Sequence, residues 1–162
     1  MNDETRWLSA DELRAWRGLM RMNELLVNRT ARSLQREFGL SGADYTILAE
    51  LTRAPDSGMR ILELAKILEW EKSRLSHQLA RMAKRDLISH EGASDDKRGT
   101  YVTVTRQGHA AIAAAAPRHV QDVRKLFTDH LSGDQISAFA EVIDTLLEKN
   151  SLDSSDQTAR PE

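Results

Sequence analysis

The sequence predicts a mainly α-helical protein with one small β element. Apolar residues recur at helical spacing over most of the 162 residues, and residues 101–105 have the β-branched and aromatic composition of a strand. Before that strand come two amphipathic helices separated only by Glu69 and Trp70. A helix pair with a tight turn followed by a β-ribbon is the layout of a winged helix-turn-helix domain, here extended by helices at both ends.

The N-terminal part is predicted to form one long helix, Ser9–Phe38, followed by a shorter one over residues 41–54. Ser9 suits the N-cap position, and Glu12, three residues later, completes a capping box. Gly39 is a natural stop because glycine readily adopts the left-handed conformation that ends many helices. The shorter helix ends where a turn containing proline, serine and glycine begins.

The central helix pair is predicted over Ile61–Leu68 and Glu71–Arg85, with its apolar residues on one side of each helix. Residues 87–88 then lead into a polar stretch over 91–99 and a second strand over 101–105. This arrangement predicts a two-stranded ribbon with a polar tip, the wing of the domain.

The C-terminal part returns to helical spacing over residues 106–130, where Pro117 is expected to kink the helix or restart it. Ser132 or Gly133 is predicted to open a last helix. Residues 150–162 are polar and are predicted to be disordered.

The net charge of −2, from 23 basic and 25 acidic residues, argues at first sight against a nucleic-acid partner. The charge is unevenly distributed, however. Lys72–Arg85 contains five bases and no acid, whereas residues 1–12 and 141–162 are acidic. Phosphates respond to local charge, so the sequence predicts a basic centre between acidic ends.

Several functional classes are excluded by composition. The absence of cysteine excludes a disulfide framework, thiolate chemistry and cysteine-ligated zinc. None of the 5 histidines forms an i, i+4 pair, so no metal site is expected. Without a nucleophile elbow or a glycine-rich phosphate loop, neither an enzyme nor a cofactor is expected. No apolar run approaches the roughly 18 residues of a membrane span, and a signal-peptide pattern is missing, so we expect a cytoplasmic protein without a membrane partner.

The polar face of the predicted helix Glu71–Arg85 is the first candidate site. The side chains proposed to contact DNA from it are Lys72, Ser73, Arg74, Ser76, His77, Arg81 and Lys84. Arg74 and His77 suit base edges, and the lysines and Arg81 suit phosphates. A merely solvated face is the alternative, but such a face usually mixes both signs of charge.

The ribbon tip supplies the second candidate, Asp96, Lys97 and Arg98. In an extended segment Asp96 and Arg98 project to the same side. The carboxylate can then hold the guanidinium extended toward a minor groove, whose negative potential favours arginine. Taken alone, the motif is equally compatible with a solvated turn and an incidental ion pair.

Together these features resemble the MarR family of winged-helix transcriptional regulators, over roughly Leu13 to Leu147. The matching stretches are Gly39–Ser41 with Asp44 and Tyr45, Leu62–Ala65, Leu68–Gln78, Asp96–Arg98, and Val104 and Thr105 with Gly108. Each stretch is weak by itself. Their order and spacing make the resemblance specific.

The resemblance implies a homodimer held by helices over residues 9–38 and 106–149, with residues 41–105 as the DNA-binding region. Most members repress neighbouring genes from a pseudo-palindromic operator in double-stranded DNA. They release it when a small, often phenolic, effector binds between the dimerisation and DNA-binding regions. The family's wing aspartate and arginine fall on Asp96 and Arg98.

The sequence departs from the family pattern at two positions. Asp86 stands where a glycine is common, although aspartate can adopt the left-handed conformation needed there. His90 stands where a basic residue usually leads into the wing, which would make one backbone contact weaker or pH-sensitive.

Trp16, Met20 and Tyr45 are candidates for lining an effector pocket, with an ordinary place in the core as the alternative. A second functional class also fits the fold: a winged helix that binds protein and never DNA. The acid-free run Lys72–Arg85, joined to Arg98, favours DNA because a protein-binding surface would not need it.

Overall fold

The structure, a computed structural model, describes residues 5–91 and 100–157. Its helices and strands are α1 Ala10–Phe38, α2 Gly42–Arg53, β1 Gly58–Arg60, α3 Ile61–Leu68, α4 Lys72–Lys84, β2 Ile88–Glu91, β3 Tyr101–Val104, α5 Arg106–Leu126 and α6 Gly133–Gln157. Short 3-10 turns lie at Pro55–Ser57 and Thr128–His130. The chain divides into two compact units, with the boundary after Asp122.

Helix α1 has the caps that the sequence predicts. The Ser9 hydroxyl accepts the Glu12 N–H at 3.2 Å, and the Glu12 carboxylate accepts the Ser9 N–H at 2.7 Å. Gly39 ends the helix in the left-handed conformation, with φ +65°. A second capping box, between Ser41 and Asp44, starts α2. The two boxes define where each helix begins.

The sheet has three strands in the order β1-β3-β2, all antiparallel, whereas two were predicted. The additional strand, β1, is three residues long and pairs Gly58 with Thr103. Its first residue, Gly58, belongs to the predicted turn, and no strand was predicted over these residues. A Cβ on Gly58 would lie 2.7 Å from the Val102 carbonyl oxygen, so this close approach of the two strands requires glycine.

The hydrophobic core of the first unit joins α2, α3 and α4 to the sheet. Its largest fully buried members are Leu40, Ile47, Leu48, Leu51, Leu64, Leu75, Leu79, Met82 and Val102. The predicted inward positions of α4 are therefore confirmed. Because that apolar side is buried in the core, the opposite side of α4 is left to the solvent.

Helix α5 is continuous over Arg106–Leu126 with Pro117 inside it. In the second unit, Ser132 caps α6 through a hydrogen bond from the Gln135 N–H, and the rings of Phe127 and Phe139 meet edge to face at 5.3 Å. Helix α6 continues through Gln157 and so extends into the segment, residues 150–162, that was predicted to be disordered. Residues 158–162 lie outside the described part of the chain. None of the described helices is long and apolar enough to cross a membrane.

Candidate nucleic-acid interface

Helix α4 places the predicted DNA-contacting side chains on one exposed face. These residues are Lys72, Ser73, Arg74, Ser76, His77, Arg81 and Lys84. Helix α4 itself contains no acidic residue, and Glu71 at its N-cap position makes no side-chain capping bond. The exposed face of α4 is therefore uniformly basic or neutral, which suits a polyanion.

Arg85 follows α4 and has a different role from the bases before it. Its Nη1 lies 2.7 Å from Oδ2 of Asp44, whose side chain is 2% exposed, and its Nη2 donates to the Gly39 carbonyl at 2.7 Å. The charge of Arg85 is thus neutralised within the fold. The sequence suggested five bases available to phosphates between Lys72 and Arg85; without Arg85 the number is four.

Gln78 lies on the inward side of α4, where the sequence analysis gave it no role. It is 6% exposed, and its Nε2 donates to Asp44 Oδ1 at 2.6 Å. Its Oε1 accepts a hydrogen bond from the Arg81 guanidinium. The available signal was a glutamine among the apolar positions of an amphipathic helix, since a buried amide requires partners.

Arg74 is held at the start of α4 by an aromatic ring. Its guanidinium carbon lies 4.2 Å from the centroid of the half-buried Trp70 ring, a cation–π contact. Trp70 is in the short connection between α3 and α4. The turn of the helix pair therefore positions the arginine that the sequence analysis proposed as a base reader.

The wing residues Asp96, Lys97 and Arg98 lie outside the described residues. The strands that lead to them are described, with Ile88 opposite Val104 and Glu91 opposite Tyr101. His90 is exposed on β2.

Asp86 precedes β2 with φ +55°, the left-handed conformation expected of it. Thr105 contacts this turn, because its hydroxyl donates to the Asp86 carbonyl at 2.5 Å and accepts the Gly108 N–H at 3.0 Å. The base of the wing is thus tied to the start of α5.

A pocket of about 380 Å³ opens between α1, α2, α5 and the Trp70–Arg74 pair. Its lining includes Tyr45, Glu50, Arg53, Trp70, Arg74 and His119. Of the predicted effector residues only Tyr45 lines it. Trp16 and Met20 lie on α1, are 54% and 38% exposed, and do not line it.

His119 brings a buried polar atom without a hydrogen-bond partner to the lining of this pocket. Its ring centroid lies 4.3 Å from that of Tyr45, and its Nδ1 is buried with no hydrogen-bond partner among the described residues. Burial lowers the pKa of His119, and the nearby Asp122 carboxylate partly opposes this. Burial likewise raises the pKa of the Tyr45 phenol, partly opposed by Arg53. The pocket wall thus carries a neutral imidazole beside a neutral phenol.

Comparison with known proteins gives a consistent result. A sequence model described as MarR family matches residues 38–99. The chain is similar to AbsC, a MarR family transcriptional regulator from Streptomyces coelicolor, with 33% identity, a TM-score of 0.83, and coverage of 91% of this chain and 99% of that chain.

Sco3205, another MarR family transcriptional regulator from Streptomyces coelicolor, was solved in complex with DNA. It has 35% identity and a TM-score of 0.84, with coverage of 91% of this chain and 92% of that chain. Transcriptional regulator HosA of Escherichia coli O111:H- is 28% identical over 122 residues, which are 75% of this chain and 88% of HosA.

Proposed function

Because the chain belongs to the MarR family and is thus a DNA-binding transcriptional regulator, we propose that it acts as a ligand-responsive repressor on a pseudo-palindromic operator, as a homodimer. The observation that carries this proposal is the exposed, acid-free face of α4 on a fully packed core. An exposed basic face on a rigid support is what reading a major groove requires.

In the proposed complex α4 lies in the major groove. Arg74 and His77 contact base edges, while Lys72, Arg81 and Lys84 contact phosphates. Arg98 reaches from the wing into the adjacent minor groove.

The proposed dimer is supported by apolar side chains that remain exposed in both units. They include Trp7, Leu8, Trp16, Leu19 and Met22 in the first unit and Phe139, Val142, Leu146 and Leu147 in the second. Exposed apolar side chains in such number mark an association surface. A second copy of the chain would bury them and place two α4 helices on half-sites about one helical turn apart.

The proposed effector is a small molecule that binds the pocket beside Tyr45 and His119. The unpartnered His119 Nδ1 offers a hydrogen bond, and the Tyr45 and Trp70 rings offer apolar contact. Arg74 also lines this pocket, so an occupant that moves Arg74 away from Trp70 would change a proposed base contact. The pocket and the proposed DNA-binding face thus share the Arg74 side chain.

The test measures, by fluorescence anisotropy, how tightly the protein binds a duplex from the promoter adjacent to its gene. We expect affinity to fall steeply between about 50 and 200 mM salt through counterion release, and small aromatic molecules to reverse binding. The Arg98→Ala variant should bind more weakly while remaining dimeric. A scrambled duplex of equal length is the control; binding both duplexes equally, without salt dependence, would contradict the proposal.

A further inference from the structure

A chain of hydrogen bonds runs from the buried start of α2 to the exposed face of α4. The Asp44 carboxylate accepts the Ser41 N–H at 2.9 Å, Gln78 Nε2 at 2.6 Å and Arg85 Nη1 at 2.7 Å. Gln78 in turn accepts from the Arg81 guanidinium. A buried carboxylate is thereby linked to a cation on the proposed DNA-binding face.

The polarity of each group fixes the direction of this chain. A carboxylate can only accept and a guanidinium can only donate, so the group between them must donate on one side and accept on the other. An amide does both. Because the NH₂ group of Gln78 donates to Asp44, the amide oxygen of Gln78 faces Arg81.

We propose that Gln78, oriented by Asp44, is a positioning residue that pre-orders Arg81 for a DNA phosphate. This rests on the proposed function, in which α4 contacts DNA. A guanidinium carries five N–H donors, so one bond to Gln78 leaves donors for a phosphate oxygen. Holding Arg81 in place before binding reduces the side-chain entropy that Arg81 loses when the complex forms.

Charged or apolar side chains of similar length at position 78 cannot make the same connection. Glutamate would place a second carboxylate beside Asp44. Lysine would donate to Asp44 but could not accept from Arg81. Methionine is close to glutamine in size and bonds neither neighbour, so Gln78→Met removes the link with little change in volume.

The experiment is a double-mutant cycle on affinity for the promoter duplex. We expect Gln78→Met to weaken binding about three- to tenfold, from the entropy of one freed side chain. The same loss should occur in a Lys84→Ala background, which keeps Arg81. In an Arg81→Ala background it should fall below about twofold, because the residue through which Gln78 acts is gone.

The outcomes separate this inference from the proposed function. An undiminished Gln78→Met loss in the Arg81→Ala background would overturn the positioning role. If Arg81→Ala binds as tightly as the wild type, the positioning role is overturned while DNA binding by α4 stands. A wild type that does not bind the duplex at all would overturn both. If Gln78→Met lowers the thermal midpoint, Gln78→Asn repeats the cycle, since its amide is one methylene shorter and cannot span both partners.

Discussion

Arg74 and Arg85 are both exposed arginines from the same basic run, but their surroundings differ. Arg74 contacts the Trp70 ring and keeps its N–H groups for an external acceptor. Arg85 uses its guanidinium on the buried Asp44 carboxylate and the Gly39 carbonyl. The contacts of the guanidinium, and not its exposure, therefore separate Arg85, which is bound within the fold, from Arg74, which we propose to contact DNA.

Substituting each arginine should separate stability from DNA recognition. Arg85→Ala should lower the free energy of unfolding by about 2 kcal/mol, because it removes a charged partner from a buried carboxylate that keeps its other donors. Arg74→Ala should lower that free energy by no more than about 1 kcal/mol, the value of an exposed cation–π contact with Trp70. It should instead reduce discrimination at one base pair per half-site by about 1–3 kcal/mol.

Urea unfolding and binding to duplexes with single base-pair changes measure the two effects. If Arg74→Ala weakens binding to every duplex equally, Arg74 contacts a phosphate and not a base.

The burial of His119 leads us to predict that the free energy of unfolding depends on pH. Burial lowers its pKa below the ordinary 6.5, so the unfolded chain takes up the proton first as pH falls. The contribution of neutral His119 to the free energy of unfolding is therefore present above pH 6.5. It is lost as pH falls from 6.5 toward the lowered pKa of His119. His119→Gln should make the decline in unfolding free energy between about pH 7 and pH 5 shallower.

The control for this prediction is His109→Gln, on the same helix but exposed, which should keep the wild-type decline. Equal pH profiles for the wild type and His119→Gln would show that His119 does not resist protonation in the fold.

At the scale of elements, the sequence predicts those whose signals are local. Ser9 and Gly39 mark the ends of α1, and apolar spacing places α3 at Ile61–Leu68 without error. Strand β1 could not be found, because three residues become a strand only through pairing with β3. The Asp44 contacts were equally hidden, since Gln78 and Arg85 are 34 and 41 residues away along the chain.

Among the described glycines, Gly108 would bring a Cβ closest to another element. A Cβ there would lie 2.0 Å from the Leu87 carbonyl oxygen and 2.7 Å from a Val104 methyl group, so backbone would have to move. Gly108→Ala should therefore cost about 3 kcal/mol of unfolding free energy, the upper end for overpacking. In Gly18→Ala the new Cβ meets nothing within 4 Å, and this control should gain up to about 1 kcal/mol in helix α1. Equal thermal midpoints for the two variants would contradict the close junction.

At the scale of the whole molecule, the net charge of −2 is a poor guide to the partner. The exposed face of α4 remains basic even after Asp44 neutralises Arg85. Sequence spacing was sufficient to place that face. Spacing did not separate core from surface positions on α1, because Trp16 and Met20 share helical spacing with core residues yet remain on the surface of that helix.

The exposed apolar side chains of α6 lead to the last prediction. Val142 is 56% exposed, and an acid there should disfavour burial against a second copy by removing apolar contact and adding a charge that must be desolvated. Val142→Glu should therefore shift the protein from dimer to monomer in sedimentation velocity at micromolar concentration. DNA affinity should fall with it, because two half-sites are no longer bound together.

Ser137→Glu is the matched control, since it adds the same charge at an exposed polar position of α6, about 140° around the helix from Val142. It should leave both the dimer and DNA binding intact. If Val142→Glu remains dimeric and both variants bind the promoter as the wild type does, Val142 does not lie in the interface. The exposed apolar side chains of α1 would then be the next candidates, and Leu19→Glu would be expected to produce the monomer.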